Sequence, residues 1–306
     1  MKSAQAVDFP ITISSSLLSD WASCQRKAYW SYFRRQKLKE INVDLLAGDA
    51  FAKGLERARK AYYVDKMSQE DAEEEGVMQA VKVYGMEETP EKNPKSWDRV
   101  AGALLYYFQH YPFATDVLQP YVTAAGPVIE FSFAIESSVL HPQTGEPLLI
   151  TGRFDELGQH KTSVYCVDEK TTKTLGPTWA QRWETHGQFM CYTWAALAHG
   201  YPVKGVFVRG IAIRKDGYEI AESSLQFTKE QIDTWYKQSL RQMEDMKRAW
   251  AEREFNQDGF FSGACFNYFR DCSFKRLCLT SQPEIWLPQY YETREFKPRI
   301  EASTND

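Results

Sequence analysis

The sequence predicts an α/β fold in which a core sheet is flanked by helices and joined to a helical N-terminal region. Three observations predict it. The first half repeats apolar residues at helical spacing. Near Pro127 the texture changes to short, β-branched, half-alternating runs. Beyond them the order is helix, two strands, helix and a cysteine-rich tail, which suits a sheet with helical layers.

Taken in order, "SSSLLSDWASCQRKAYWSYFRR" opens with serines able to N-cap and continues with helix-spaced apolar residues. "DLLAGDAFAKGLERARKAYYVDKM" predicts a second helix, with Leu45, Phe51, Leu55, Ala58 and Tyr62 on its apolar stripe. "SQEDAEEEGVMQAVKVYG" and "SWDRVAGALLYYFQHY" predict two more, separated by the polar, proline-bearing loop "EETPEKNPK". "VIEFSFAIES", "LLITGRFDEL" and "SVYCVDEKT" read as strands, with "HPQTGEP" and "GQHK" as the turns between them. A helix is expected from Trp179 to about His199. A hairpin is expected around Asp216-Gly217, and a long polar helix over residues 228–255.

The chain has 306 residues, enough for one large domain or two modest ones. Its 43% hydrophobic and 25% charged residues are those of an ordinary globular protein. No apolar run approaches the ~20 residues of a membrane span, and the opening residues lack the apolar core of a secretory signal. The expectation is a cytoplasmic protein without a membrane partner. A net charge of −4 gives no bulk argument for nucleic acid, although a local basic groove would suffice. Arg26, Lys27, Arg34 and Arg35 are interleaved with Tyr29, Trp30, Tyr32 and Phe33. Such a stretch can contact phosphates and stack bases, or can be an amphipathic helix with its aromatics in the core.

The chemistry concentrates in "GRFDELGQHKTSVYCVDEKTT". Asp155 closes one predicted strand, and the next delivers Asp168, Glu169 and Lys170. Alternation puts Asp168 and Lys170 on one face and Glu169 on the other, so Glu169 is expected to tolerate substitution better. Two carboxylates suit a hard divalent cation, and a lysine beside them suits developing phosphate charge. The bland alternative is a pair of turn-capping acids and an exposed lysine. Three clustered thiols, Cys265, Cys272 and Cys278, suggest a soft-metal site wanting a fourth ligand, whereas Cys166 and Cys191 read as buried free thiols.

Asp155, then Asp168-x-Lys170, then Gln188-x-x-x-Tyr192 on the following helix, resembles the RecB-like branch of the PD-(D/E)XK nuclease superfamily. The first helix resembles that branch's opening helix with its single cysteine, and "GDAFAKGLE" resembles its second helical motif. The resemblance runs from about Ser14 to Cys278. It implies a restriction-endonuclease-like core, with Asp155 and Asp168 binding Mg²⁺ or Mn²⁺ and Lys170 catalytic. Gln188 and Tyr192 would contact DNA or support the site. One departure stands out. Members often carry a metal-binding histidine in a G-x-x-F-H pattern, where this chain has Ala52. Glu56, one turn on, is expected to supply the missing ligand.

The resemblance also implies a [4Fe–4S] cluster on Cys24, Cys265, Cys272 and Cys278. The wide gap between Cys265 and Cys272 keeps zinc open as an alternative. The implied organisation is a helical N-terminal region over 1–125, a nuclease core over 126–256 and a cluster-binding tail over 257–306, together one compact unit. The implied activity is a metal-dependent DNA exonuclease acting on single strands or ends. It would resemble stand-alone CRISPR-adaptation and bacteriophage nucleases, in a bacterial or phage-infected cell, with a recombination, CRISPR or phage protein as its partner. The alternative is a catalytically inactive DNA-binding scaffold on the same fold. Arg26, Lys27, Arg34 and Arg35 are the candidate phosphate contacts.

Overall fold

The computed structural model describes residues 7–85, 94–267 and 270–294. All but the last two residues of the loop Glu87–Lys95 lie outside the described residues, as does the tail beyond 294. In chain order the main elements are β1 (Thr12–Ser14), α1 (Ser15–Ser23), α2 (Val43–Arg59), α3 (Gln69–Tyr84), α4 (Trp97–His110), β2 (Ile129–Leu140), β3 (Pro147–His160), β4 (Ser163–Thr172), α5 (Gly187–Ala198), β5 (Val203–Ile213), β6 (Tyr218–Gln226) and α6 (Lys229–Glu252). Among the described residues no helix is long and apolar enough to cross a membrane.

The chain forms two compact units. One comprises the described residues of Met1–Ile41, Phe133–Gly152 and Asp233–Ala302; the other comprises those of Asn42–Ser132 and Arg153–Ile232.

In the second unit β3, β4, β5 and β6 are successive neighbours in a mixed sheet. β4 is antiparallel to β3, from His160 opposite Ser163 to Glu156 opposite Val167. It is parallel to β5, with Asp168 opposite Val208 and Lys170 opposite Gly210. β6 returns antiparallel to β5 through the expected hairpin. The helices α2, α3 and α4 pack around Ala50, Phe51, Leu55, Leu104 and Phe108, against Ile211 and Ile213 of β5. Asn42 caps α2 by accepting from the N–H groups of Asp44 and Leu45. Leu45 therefore sits in the first turn, 71% exposed, and leaves the predicted stripe. Ala47 and Ala50 take its place in the core.

Three further expectations change. "GQHK" is not a turn, because β3 continues to His160 and the chain reverses at Lys161, whose φ is 55°. Gly158 is a close-packing position: a Cβ there would stand 2.7 Å from both Leu118 and Val167. Asp155 is consequently internal to its strand. The predicted Trp179–His199 helix is α-helical only from Gly187, after a single 3₁₀ turn at Gln181–Trp183. Before that turn Trp179 lies over Gly210, where a Cβ would meet its ring at 2.3 Å.

In the first unit β1 runs parallel to the start of β3, with Thr12 opposite Leu149. Ser14 caps α1 through a 3.2 Å bond from Leu17 N–H. The predicted continuous first helix breaks at Cys24, whose backbone is extended. The N–H groups that follow find partners elsewhere: Gln25 donates to Asp258 Oδ2 at 2.9 Å and Arg26 to Asn256 O at 2.9 Å. Phe9, Trp21, Tyr29 and Phe33 pack with Phe255 and Trp250. Trp30 joins Phe274, Leu277, Leu287 and Tyr291 in a smaller cluster.

The α2–α3 crossing depends on two glycines. A Cβ on Gly54 would lie 2.7 Å from Gly76 O and 2.6 Å from Leu104. Gly54→Ala should therefore destabilise the protein by ~1–3 kcal/mol through overpacking. Urea unfolding checks this, and an unchanged midpoint would show that the helices separate at no cost.

Candidate active site

β4 carries the site because its alternating side chains meet different helices. Asp168 and Lys170 face α5, whereas Glu169 points to α2 and α4. Lys170 Nζ lies 2.6 Å from Asp168 Oδ2 as an ion pair. The same ammonium donates to Gln188 Oε1 at 3.4 Å and lies 5.7 Å from the Phe189 ring centre. Gln188 Nε2 in turn donates to the Tyr192 hydroxyl at 2.6 Å. Spacing of four residues puts Gln188 and Tyr192 on one face of α5.

Asp155 reaches this cluster from β3. The β3–β4 ladder stops at Glu156 opposite Val167. One residue on, the Asp155 side chain supplies the acceptor, taking Glu169 N–H at 3.0 Å on Oδ2. The structure thus brings together Asp155, Asp168, Lys170, Gln188 and Tyr192.

The electrostatics are lopsided. Burial pushes the Asp155 carboxyl well above the ordinary range, and the charges of Asp168, Glu169 and Glu130 add to it. Burial also raises Asp168, against the pull of Lys170. The phenol of Tyr192 is held protonated by burial, then by Asp168 and Asp155.

Glu130 is an acid that strand periodicity does not single out. It lies on β2 with φ at 57°, which is left-handed and unusual for a non-glycine. Arg153 pairs with it at 2.6 Å, and burial raises its pKa. The same electrostatics link Glu130 to Asp155 on one side and to Glu56 on the other. Glu56 itself is held by Lys53 at 2.5 Å and Lys60 at 2.7 Å; these bonds outweigh burial and lower its pKa. His186, at the start of α5, was equally illegible. Burial and then Lys170 and Arg182 lower its pKa, and its Nδ1 has no hydrogen-bond partner among the described residues.

Glu169 is not a tolerant surface position. It pairs with Arg59, accepts from Tyr107 Oη at 3.0 Å, and is held below the usual carboxylate range because Arg59 outweighs burial.

The remaining candidates lie in the first unit. Cys24 is buried and its Sγ approaches Asn256 O at 3.9 Å. Cys272 N–H donates to Cys265 O at 2.9 Å. The Cys278 thiol is pushed up to about 11 by burial, with the charge of Arg26 opposing and those of Cys24, Cys272 and Cys265 adding. Among the described residues no three His, Cys, Asp or Glu side chains are arranged as they would be around a metal ion. Lys27 pairs with Asp20 at 2.6 Å and Arg34 with Glu284 at 3.1 Å, Arg26 is half-buried, and Arg35 is exposed. Trp30 and Phe33 are 3% and 4% exposed, so they serve the core and are not platforms for bases.

An acid pair and lysine on adjacent strands, braced by a Gln and Tyr on the next helix, define a nuclease-type α/β core. The profile of the PD-(D/E)XK nuclease superfamily matches residues 12–279, and the chain belongs to that superfamily. Solved structures similar to it include a Eubacterium rectale protein assigned provisionally as an exonuclease. That protein has 10% identity and a TM-score of 0.46, over 81% of this chain and 85% of that one. Another is SSO0001, with 13% identity and a TM-score of 0.27, over 74% and 83%. No curated protein matches the chain.

Asp155→Asn keeps the acceptor for Glu169 N–H and removes a disfavoured charge. It should raise stability by about 1 kcal/mol in chelator. Glu169→Ala, which leaves Arg59 under-paired, should cost about 3 kcal/mol. Chemical denaturation of the two variants beside the parent checks both signs, and equal midpoints would contradict the division of labour between the two faces.

Proposed function

We propose that this protein is a metal-dependent DNA exonuclease of the RecB-like branch, acting on single strands or DNA ends. One observation carries the reading: Asp168, Lys170, Gln188 and Tyr192 form a connected set within one unit, and Asp155 accepts from the backbone of Glu169, between Asp168 and Lys170. Asp155 and Asp168 would hold Mg²⁺ or Mn²⁺, the ions that nucleases of this superfamily generally use. The donor set fits, because both acids are oxygen ligands whose charge is under-compensated in the folded chain. When bound, the ion polarises a phosphate oxygen and lowers the pKa of water. Lys170 donates to the phosphate or to the attacking water. Gln188 holds Lys170 in place and is itself held by the Tyr192 hydroxyl. Glu56 or Glu130 completes the acid set where Ala52 offers no ligand. Either would first have to leave its present partners, Lys53 and Lys60 for Glu56 and Arg153 for Glu130.

Cys24, Cys265, Cys272 and Cys278 would hold a [4Fe–4S] cluster with a structural role, or zinc in its place. The support is the chemistry of four neighbouring thiols drawn from both ends of the described chain. Arg35 is the basic residue best exposed for phosphate, with Arg26, Lys27 and Arg34 contributing only if their present contacts open.

Purified protein on end-labelled single- and double-stranded DNA, with Mn²⁺, Mg²⁺ or chelator, tests the activity. Metal-dependent shortening from ends is expected, reduced about a hundredfold or more in Asp168→Ala and Lys170→Ala. DNA binding with no cleavage under any metal would replace this reading with a scaffold. In Mn²⁺ titration, Glu56→Gln or Glu130→Gln should weaken binding; parental affinity in both would show that neither acid is a ligand. For the thiols, about four irons per chain and absorbance near ~400 nm are expected. Stoichiometric zinc without iron would overturn the cluster.

A further inference from the structure

Behind the carboxylates, on the opposite face of the same strands, lies a buried charge network. Arg59, 5% exposed, comes from the last turn of α2. Its Nε stands 2.9 Å from Glu156 Oε2 on β3. Its two terminal nitrogens reach both oxygens of Glu169 on β4, Nη1 at 3.1 Å. One guanidinium therefore ties the residue after Asp155 to the residue between Asp168 and Lys170. Tyr107 Oη donates to Glu169 and accepts from Arg209 Nη1 at 3.3 Å. Arg209 stands opposite Glu169 on β5 and holds both oxygens of Asp116 at 2.6 Å. Its ion pair to Glu222 on β6 extends the network across the next strand.

We propose that Arg59 is a positioning residue, which sets the separation of Asp155 and Asp168 by clamping β3 to β4 from behind. The inference rests on the reading of those two acids as the reactive carboxylates. The reason for a clamp is local. The backbone ladder between β3 and β4 ends at Glu156, just before the residues that carry the chemistry. Past that point the strands are joined by the Asp155–Glu169 N–H bond. A planar fork can bridge two carboxylates at fixed spacing; an ammonium supplies equal charge without that geometry.

Arg59→Lys therefore isolates geometry from charge. In the full-length protein it should fold, with a single cooperative melt, yet lose about tenfold in turnover at saturating Mn²⁺ with KM for DNA little changed. Mn²⁺ affinity, measured by calorimetry without DNA, should fall by a similar factor. A folded Arg59→Lys protein with parental turnover and Mn²⁺ affinity would overturn the inference. Should that variant not fold, Tyr107→Phe removes one donor to Glu169 and should lower turnover several-fold, with full parental turnover again overturning it. The parent and Asp168→Asn distinguish failure of the underlying reading. If the parent neither cleaves DNA nor binds Mn²⁺ more tightly than Asp168→Asn, the carboxylate assignment fails, whatever Arg59 does.

Discussion

The buried guanidinium of Arg59 is the constraint on which the second unit depends. Removing a charge from water costs several kcal/mol unless partners replace its hydration. Here Glu156 and Glu169 replace it, and neither is well placed to ionise alone. Burial pushes Glu156 up to about 7 even beside Arg59, whereas Glu169, with the bidentate contact, is held low. The helix carrying Arg59 must consequently dock in one rotation against these two strands. The close Gly54–Gly76 contact allows α2 and α3 to approach while it does so.

That docking gives β4 two unlike faces. Toward α2 and α4, each guanidinium is shared between two carboxylates, Arg59 between Glu156 and Glu169 and Arg209 between Asp116 and Glu222. Toward α5, Asp168 and Asp155 outweigh Lys170, and Glu130 adds to the excess even with Arg153 paired to it. Neighbouring acids on one strand therefore shift in opposite directions, Asp168 up and Glu169 down. A fold optimised for stability alone would neutralise the α5 side. On the α2 and α4 side each of these four acids touches a guanidinium, whereas on the α5 side Asp155 accepts from the Glu169 N–H and Asp168 pairs with Lys170.

Strand alternation made the central geometry legible. It separated Asp168 and Lys170 from Glu169, and four-residue spacing joined Gln188 to Tyr192. It failed where one residue type serves two physical ends. Gly158 and the polar residues after it resemble a turn, yet that glycine answers the crowding of Leu118 and Val167. Arg59 sits in "LERARK", which has the composition of a solvated helix end, and only tertiary contacts give it buried partners. Glu130 depends on a left-handed backbone that no local sequence feature requires. The aromatic residues beside Cys24 suited either bases or a core, and Phe255, distant in sequence, decided for the core.

Lys170 shows why the site needs α5 as well as the two strands. An ammonium 2.6 Å from a buried carboxylate would ordinarily be neutralised by it, leaving little field for a third group. Gln188 offers a second acceptor on the other side, and Tyr192 fixes the orientation of that amide by accepting from its nitrogen. With its oxygen turned to the lysine and its nitrogen to the phenol, the amide cannot flip without losing both contacts. The lysine is 27% exposed, so it retains access to incoming groups while its two partners restrict where the charge can move. The i and i+4 pair on α5 thus acts through Lys170, and the orientation of that helix is as much a part of the site as the acids on β3 and β4.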